Sequence, residues 1–466
     1  QVGLVNLGAQ EFEGVKTFDD RSVFQAGLTV DAGQSISLTG GNIASRPGSP
    51  TEGMIYYDTE TDSLLTYANG KWQSDRGEYI IVAADDSTQA EKDSADYVAD
   101  ATADQTEINS AITAVNAAGG GKVYLMEGTY TVDAGISMMS NVYLSGSGNG
   151  TEITIVNGLN TTMNVLDIIG DNNVAVENLS INGNNANQSG VINQYGINIG
   201  STSTDVLINN VHIYDAEDSG IWTNSTSGYG NYVITNSVFE NNGTYGIRLG
   251  SEESVVSNNS FRSNAQAGIT VSGSRNTIEG NYLESNGVST TTGDISVSGS
   301  NNTISNNTIY DSFDAGIITV GGSYASITGN TIIDSQDNGI YLNGDYSTVT
   351  GNVIKNSTDA GIYINSVADG VILSSNVIDA SGSVGVSLRS ATYASVIGNS
   401  ITNTASSAIY VRSSGADHKI SDNIIATYGT VTAASDGIEL DSLVTSNGIQ
   451  ITDNKITDTA GTGYAI

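Results

Sequence analysis

Through the second half of the chain, aliphatic and polar residues alternate in short bursts, and the bursts return at a nearly fixed interval. In Ser347-Thr-Val-Thr-Gly-Asn-Val-Ile354, Val349 and Ile354 flank Asn352, and Gly361-Ile-Tyr-Ile364 starts seven residues after Ile354. Alternation with a period of two predicts short strands with one face turned inward. The phrase aliphatic-x-x-Asn-x-aliphatic recurs with Asn259, Asn281, Asn307, Asn330, Asn352, Asn376, Asn399, Asn423 and Asn454, at gaps of 22, 26, 23, 22, 24, 23, 24 and 31 residues. Asn210 and Asn236 open the series one position out of frame. A period in the low twenties predicts a solenoid over residues 136–466, with three short strands per rung and roughly a dozen rungs. Asparagine tolerates left-handed backbone and its amides can bond along a column, while glycine lets the chain turn tightly into a strand. Both columns are therefore structural in the first instance. Val288-Ser-Thr-Thr-Thr-Gly293 lengthens one rung and is expected to protrude.

Ahead of the solenoid the pattern changes. Residues 1–78 lack the phrase and form a β-rich stalk or attachment module. Gln10-Glu-Phe-Glu-Gly-Val-Lys-Thr-Phe18 alternates around a glycine, and Arg46-Pro-Gly-Ser-Pro50 holds both prolines and marks a turn or boundary. Glu52–Asp58 and Leu64–Trp72 predict a small hairpin module. Residues 79–135 predict an entry cap. Ile108, Ala111, Ile112 and Val115 share one helical face, Asp104 and Glu107 have capping-box spacing, and Gly119 is the expected stop. Gly121–Val132 then supplies two strands around a turn. The helix would cover the first rung, whose strand edges are otherwise unpaired.

Ser49-Pro-Thr-Glu-Gly-Met-Ile-Tyr-Tyr-Asp-Thr59, followed by Leu65-Thr-Tyr-Ala-Asn-Gly-Lys-Trp72, resembles a module of phage tail fibres and some bacterial surface proteins. There it belongs to an elongated and often trimeric stalk. The helix, glycine run and Val123-Tyr-Leu-Met-Glu-Gly-Thr-Tyr130 resemble the start of pectate-lyase-like right-handed parallel β-helices, tail-spike proteins included. The expected fold class is thus all-β: a right-handed parallel β-helix behind a small N-terminal stalk, with one capping helix. The resemblance implies a homotrimeric appendage, extracellular, on a virion tail or a cell surface.

Composition narrows the partners. Fifteen Lys and Arg against 50 Asp and Glu give a formal charge of −35, which argues against nucleic acid and anionic membranes as partners. The chain has no cysteine, so disulfides and Cys-ligated metals are excluded. No apolar run reaches the roughly 20 residues that span a bilayer, so membrane insertion is not expected. The chain begins at Gln1 without a visible signal peptide, and its last phrase, Asn454-Lys-Ile456 to Gly463-Tyr-Ala-Ile466, stops inside a rung. Both ends are expected to continue, to have been processed, or (at Ile466) to be covered by a partner.

In a parallel solenoid, residues of equal phase lie about 4.8 Å apart on adjacent rungs. Asp314, Asp337 and Asp359 share one phase on three consecutive rungs, with Asp218 further up; Asp311 and Asp334 share another, followed by Asn356. All five aspartates of the middle rungs are expected in one patch. Two residues after the glycine slot an outward phase holds Trp222, Arg248, Thr270, Ile318, Tyr341, Tyr363, Ser387 and Tyr410, and Arg389 and Arg412 stand two positions further on. Aromatic faces beside carboxylates suit a sugar polymer, so Tyr341, Tyr363, Tyr410, Arg389 and Arg412 are candidate substrate contacts. Tyrosine is also ordinary outer-strand surface.

Three readings of the aspartates are open: a solvated turn, Ca²⁺ binding by stacked carboxylates, and catalysis. By rung spacing, Asp314 and Asp337 resemble a retaining glycosidase pair, and Asp314 and Asp359 approach the inverting separation. A lyase would need metal-held carboxylates and a base such as Arg389 or Lys355. His212 and His418 lie in unrelated rungs, and phosphate, dinucleotide, EF-hand and serine-elbow motifs are absent. So is the Asp-Pro-His signature of β-helical alginate epimerases, which counts against that relative. No metal ligand set and no cofactor other than Ca²⁺ is suggested. The leading function is binding of a surface polysaccharide. A polysaccharide hydrolase or lyase is the alternative, and a non-catalytic adhesin or filament protein the third class.

Overall fold

A computed structural model describes residues 50, 54–58, 63–68, 71–74, 79–189, 194–224, 229–287, 292–365, 368–412, 416–431, 435–441, 448–457 and 464–466. Gln10–Phe18, most of Arg46–Pro50 and most of Val288–Gly293 lie outside the described residues. The chain divides into two units, Gln1–Asp75 and Arg76–Ile466.

The first unit contains an antiparallel meander of β1 (Ile55–Asp58), β2 (Ser63–Ala68) and β3 (Lys71–Ser74). The hairpin module therefore has a third strand: the stretch expected to run from Leu64 to Trp72 breaks between Ala68 and Lys71.

The second unit starts with β4 (Tyr79–Ala83), α1 (Gln89–Ser94), β5 (Tyr97–Val98), α2 (Gln105–Ala117), β6 (Gly121–Leu125) and β7 (Gly128–Val132). Helix α2 is the expected cap, with Ile108, Ala111, Ile112 and Val115 buried, and it ends before Gly119. Two details differ. Asp104 does not cap α2 through its side chain. Its carboxylate instead accepts from Asp100 N (3.1 Å) and Thr131 N (2.7 Å), tying the helix start to β7. The capping box belongs to α1, a second helix, where Thr88 and Glu91 bond reciprocally.

Beyond β7 the chain coils, three strands to a rung, as in Thr303–Ser305, Thr308–Tyr310 and Ile317–Thr319. All rung-to-rung pairings are parallel among the described residues. One sheet of 13 parallel strands, from Ile136–Ser137 to Ile438–Leu440, forms one face; the other strands make up a 28-stranded sheet. Each strand turns its aliphatics inward, one in the two strands of the larger sheet and commonly two in the third, so Ile304, Ile309, Ile340 and Leu342 are all fully buried. Burial of each contributes about 1.5–3 kcal/mol.

A buried asparagine ladder locks the rungs. Asn330 Nδ2 donates to Asn352 Oδ1 (3.0 Å) and to the Ile304 carbonyl (2.9 Å), and Asn330 N also donates to Asn352 Oδ1 (2.9 Å). The same bonds link Asn259 through to Asn454. The ladder residue does not hold the left-handed backbone. That conformation belongs to the residue before it, as at Asn306 (φ 55°), Gly329 (69°) and Gly351 (68°). Asn210 and Asn236 are out of frame because they fill this preceding slot (φ 52° and 54°). At the far end, Gln450–Thr452 and Lys455–Thr457 have no following strand among the described residues.

Candidate functional site

The 13-stranded sheet places the outward residues by register alone. Ile318, Tyr341, Tyr363, Ser387 and Tyr410 pair in succession across five strands, and Arg389 pairs with Arg412. The turn entering these strands carries Asp314, Asp337 and Asp359, all half-buried. Tyr341 and Tyr363 stack with ring centroids 5.3 Å apart and planes 11° from parallel. Arg389 Nη1 donates to the Tyr363 hydroxyl (3.0 Å), and the Arg412 guanidinium lies 5.4 Å from the Tyr410 ring centroid. Burial raises the Tyr341 hydroxyl, Tyr363 adds to this, and Arg389 opposes it; Asn365 bonds to the same hydroxyl.

The ring planes change the expected mode of contact. Tyr341 and Tyr363 stack along the coil axis, so each covers one face of the other and presents an edge to solvent. The column is interrupted only at Ser387, which is 2% exposed. Below Tyr363 a groove of about 180 Å³ opens, lined by Asp359, Tyr363, Ser383, Ser387, Ser406, Tyr410 and Arg412.

The five aspartates lie in two columns, three residues apart along the same turns. Asp311 and Asp334 occupy left-handed turn positions (φ 54° and 61°), where Asp311 accepts from Ser285 Oγ (3.2 Å) and Asp334 from Asn356 Nδ2 (2.8 Å). Lys355 ends a strand of the other sheet, beside these turns. Asp337 and Asp359 lead into the strands that bear Tyr341 and Tyr363, and Asp314 into the one that bears Ile318. The Asp314 carboxyl is raised, first by burial and then by the charge of Asp337; backbone N–H groups of Ala315 and Gly293 partly offset this. Among the described residues no group of three or more Asp, Glu or His is arranged to hold a metal ion.

Higher on the same face, Tyr195 stacks on Trp222 (4.8 Å), whose ring also lies 3.9 Å from the Arg248 guanidinium. The phase of the repeat identified Trp222 and Arg248 but not Tyr195, which stands one residue before the glycine slot, while Asn198 holds the Trp222 phase. Ser387 was visible only as one outward residue among eight. Its significance is the gap it leaves between two tyrosines.

The sequence matches the family described as right handed beta helix region over residues 137–283, 228–333 and 315–466. It is 34% identical over 170 residues to the mannuronan C5-epimerase AlgE3 of Azotobacter vinelandii, covering 31% of this chain and 9% of the epimerase. The chain thus spans under a tenth of that relative's length. The similarity is to the group that the missing Asp-Pro-His signature counted against, over those 170 residues. Among solved structures, the Dettilon tailspike protein (gp208) is 18% identical, with a TM-score of 0.57 over 66% of this chain and 65% of that one. The tailspike of E. coli bacteriophage HK620, solved with a pentasaccharide, is 13% identical, with a TM-score of 0.50 over 72% of this chain and 74% of that one. Likeness at this identity is one of fold. Asparagine ladder, parallel rungs and family match agree: the chain belongs to the right-handed β-helix family.

Proposed function

We propose that this protein binds a surface polysaccharide along the outward face of the 13-stranded sheet, as a homotrimeric appendage of tail-spike type, extracellular or on a virion. Tyr341, Tyr363 and Tyr410 supply apolar edges and faces, Asp314, Asp337 and Asp359 accept from sugar hydroxyls, and Arg389 and Arg412 donate. The observation that carries this reading is the stacked Tyr341–Tyr363 pair, held by Arg389 and bordered by three half-buried aspartates. Such a mix of apolar rings and convergent polar groups suits a ligand with both faces and hydroxyls. The likeness of the N-terminal module to tail fibres and of the coil to tailspikes supports the appendage setting. The test is affinity electrophoresis of the full chain through gels cast with purified capsular and exopolysaccharides. Retardation by at least one glycan, lost in Tyr363→Ala, is the expected outcome; retardation unaffected by Tyr363→Ala removes this face as the site.

One observation favours a catalytic alternative. Asp314 is raised, first by burial and then by the charge of Asp337, which suits it to hold a proton for a general-acid step. New reducing ends or unsaturated uronates from a bound glycan, abolished by Asp337→Asn, would establish a depolymerase. Binding without product leaves a receptor-binding protein or adhesin. Asp311 and Asp334 take no part in this pair; their bonds serve the turns.

A further inference from the structure

The interruption at Ser387 is a consequence of register. Tyr363, Ser387 and Tyr410 occupy one column on three successive strands, so the two tyrosines stand two rung steps apart, about 10 Å. A ring inserted midway would lie about 5 Å from each tyrosine, within the range of stacked rings. The neighbouring pair, one step apart at 5.3 Å, leaves no such room. A groove of about 180 Å³ lies here, with Tyr363, Ser387 and Tyr410 among its lining residues.

Its two ends differ in charge. Asp359 and Ser406 lie where the chain enters the strands, and Arg412 where it leaves. Arg389 stands directly above Arg412 in register. Arg262 pairs with Glu284, and Arg275 with Glu252 and Glu253, whereas Arg248 lies over Trp222. Arg389 and Arg412 instead contact tyrosines, and neither enters an ion pair among the described residues. Their remaining N–H donors are free for a ligand anion. Carboxylates on the next rung stand close as well: Glu439 pairs in register with Tyr410, and Glu439 and Asp441 act on the Tyr410 hydroxyl against Arg412.

We infer that the Ser387 gap is a slot for one sugar ring, held between Tyr363 and Tyr410 with an anionic substituent, a carboxylate, toward Arg412 and Arg389 and hydroxyls toward Asp359 and Ser406. The ligand class is then an acidic polysaccharide. Because the ring planes lie across the coil axis, the bound sugar lies parallel to the strands. This rests on the polysaccharide-binding reading above and adds to it the place, the orientation and the charge of the sugar.

The experiment is a binding titration of the full chain with polygalacturonate, hyaluronate and polymannuronate, each beside its carboxyl-reduced form, with neutral dextran in the same panel. Wild type should bind at least one acid form, and at least tenfold more weakly once that glycan is reduced. Ser387→Tyr completes the tyrosine column and should lose at least tenfold in affinity. Arg412→Gln should lose about tenfold with an unchanged melting temperature. Wild-type affinity in a folded Ser387→Tyr variant, equal binding of reduced and acid forms, or no binding to any acid form overturns the inference. In the last case, a neutral glycan bound by wild type and lost in Tyr363→Ala leaves the broader reading standing.

Discussion

Asp294 sits in the glycine column, between Gly268 and Gly316 in register: Ile269 N donates to its carbonyl, and its own N–H donates to Ala315 O. Glycines here are needed because a side chain points into the packed interior; a Cβ on Gly316 would come within 2.5 Å of Ile332 Cγ2. Asp294 puts a carboxyl there, fully buried, with neither oxygen in a well-formed hydrogen bond. Burial pushes it from 3.8 up to about 8, only partly offset by the nearby Asn286 and Ser312. The unfolded chain releases this proton near pH 4 and the folded chain near pH 8. Stability is therefore fully present below the unfolded value and falls by about 1.4 kcal/mol per pH step as pH rises toward the folded one. Between pH 5 and 8 the loss is about 4 kcal/mol. For the unit Arg76–Ile466, an unfolding entropy near 2.1 cal/mol/K per residue gives roughly 0.8 kcal/mol/K, and hence a fall of about 5 °C if the unit melts as a whole. Asp294→Asn stays neutral throughout. Melting temperatures of both proteins from pH 4 to 9 should diverge by about that amount between pH 5 and 8, wild type falling further. Parallel curves would refute the reasoning.

Other consequences are more local. Asn352→Ala strips the acceptor from Asn330 N and Nδ2 and should cost on the order of 3 kcal/mol in denaturant unfolding; the same change at the half-buried Asn454 should cost less. Burial lowers the His418 imidazole, whose Nδ1 accepts from Ala394 N, so its contribution is complete above the unfolded value near 6.5 and is lost as pH falls below it. His418→Asn keeps an acceptor and should flatten the melting profile between pH 7 and 5. Asp337→Asn removes the neighbouring charge and should lower the titration of Asp314, followed by carboxyl-carbon NMR.

The repeat made the fold legible because every rung solves the same problem. Aliphatics in each strand must point inward, and one asparagine must bond both to its successor and to the rung before. What the repeat could not separate was which of two adjacent slots asparagine served, since left-handed backbone and amide ladder both favour it. Asn210 and Asn236 looked like errors of phase for that reason. Asp104 has the spacing of a helix cap, but burial beside β7 gave its carboxylate better donors. The aspartates shared a neighbourhood in phase, yet a left-handed turn at Asp311 and Asp334 assigns them other partners. Asp294 escaped notice because the insertion before it displaces the count. The slot at Ser387 is a missing side chain, and a gap of that kind has meaning only once Tyr363 and Tyr410 are known to flank it.

The central claim is that glycan recognition happens on the outward face of the 13-stranded sheet. Hydroxyl-radical footprinting of the full chain, with and without a polysaccharide it retains in affinity gels, tests this at the side chains themselves. The account requires protection of Tyr341, Tyr363 and Tyr410, while the exposed Tyr324, Tyr346 and Tyr393 keep their reactivity. Protection of that second group, with Tyr363 and Tyr410 unchanged, would place the glycan elsewhere and contradict it.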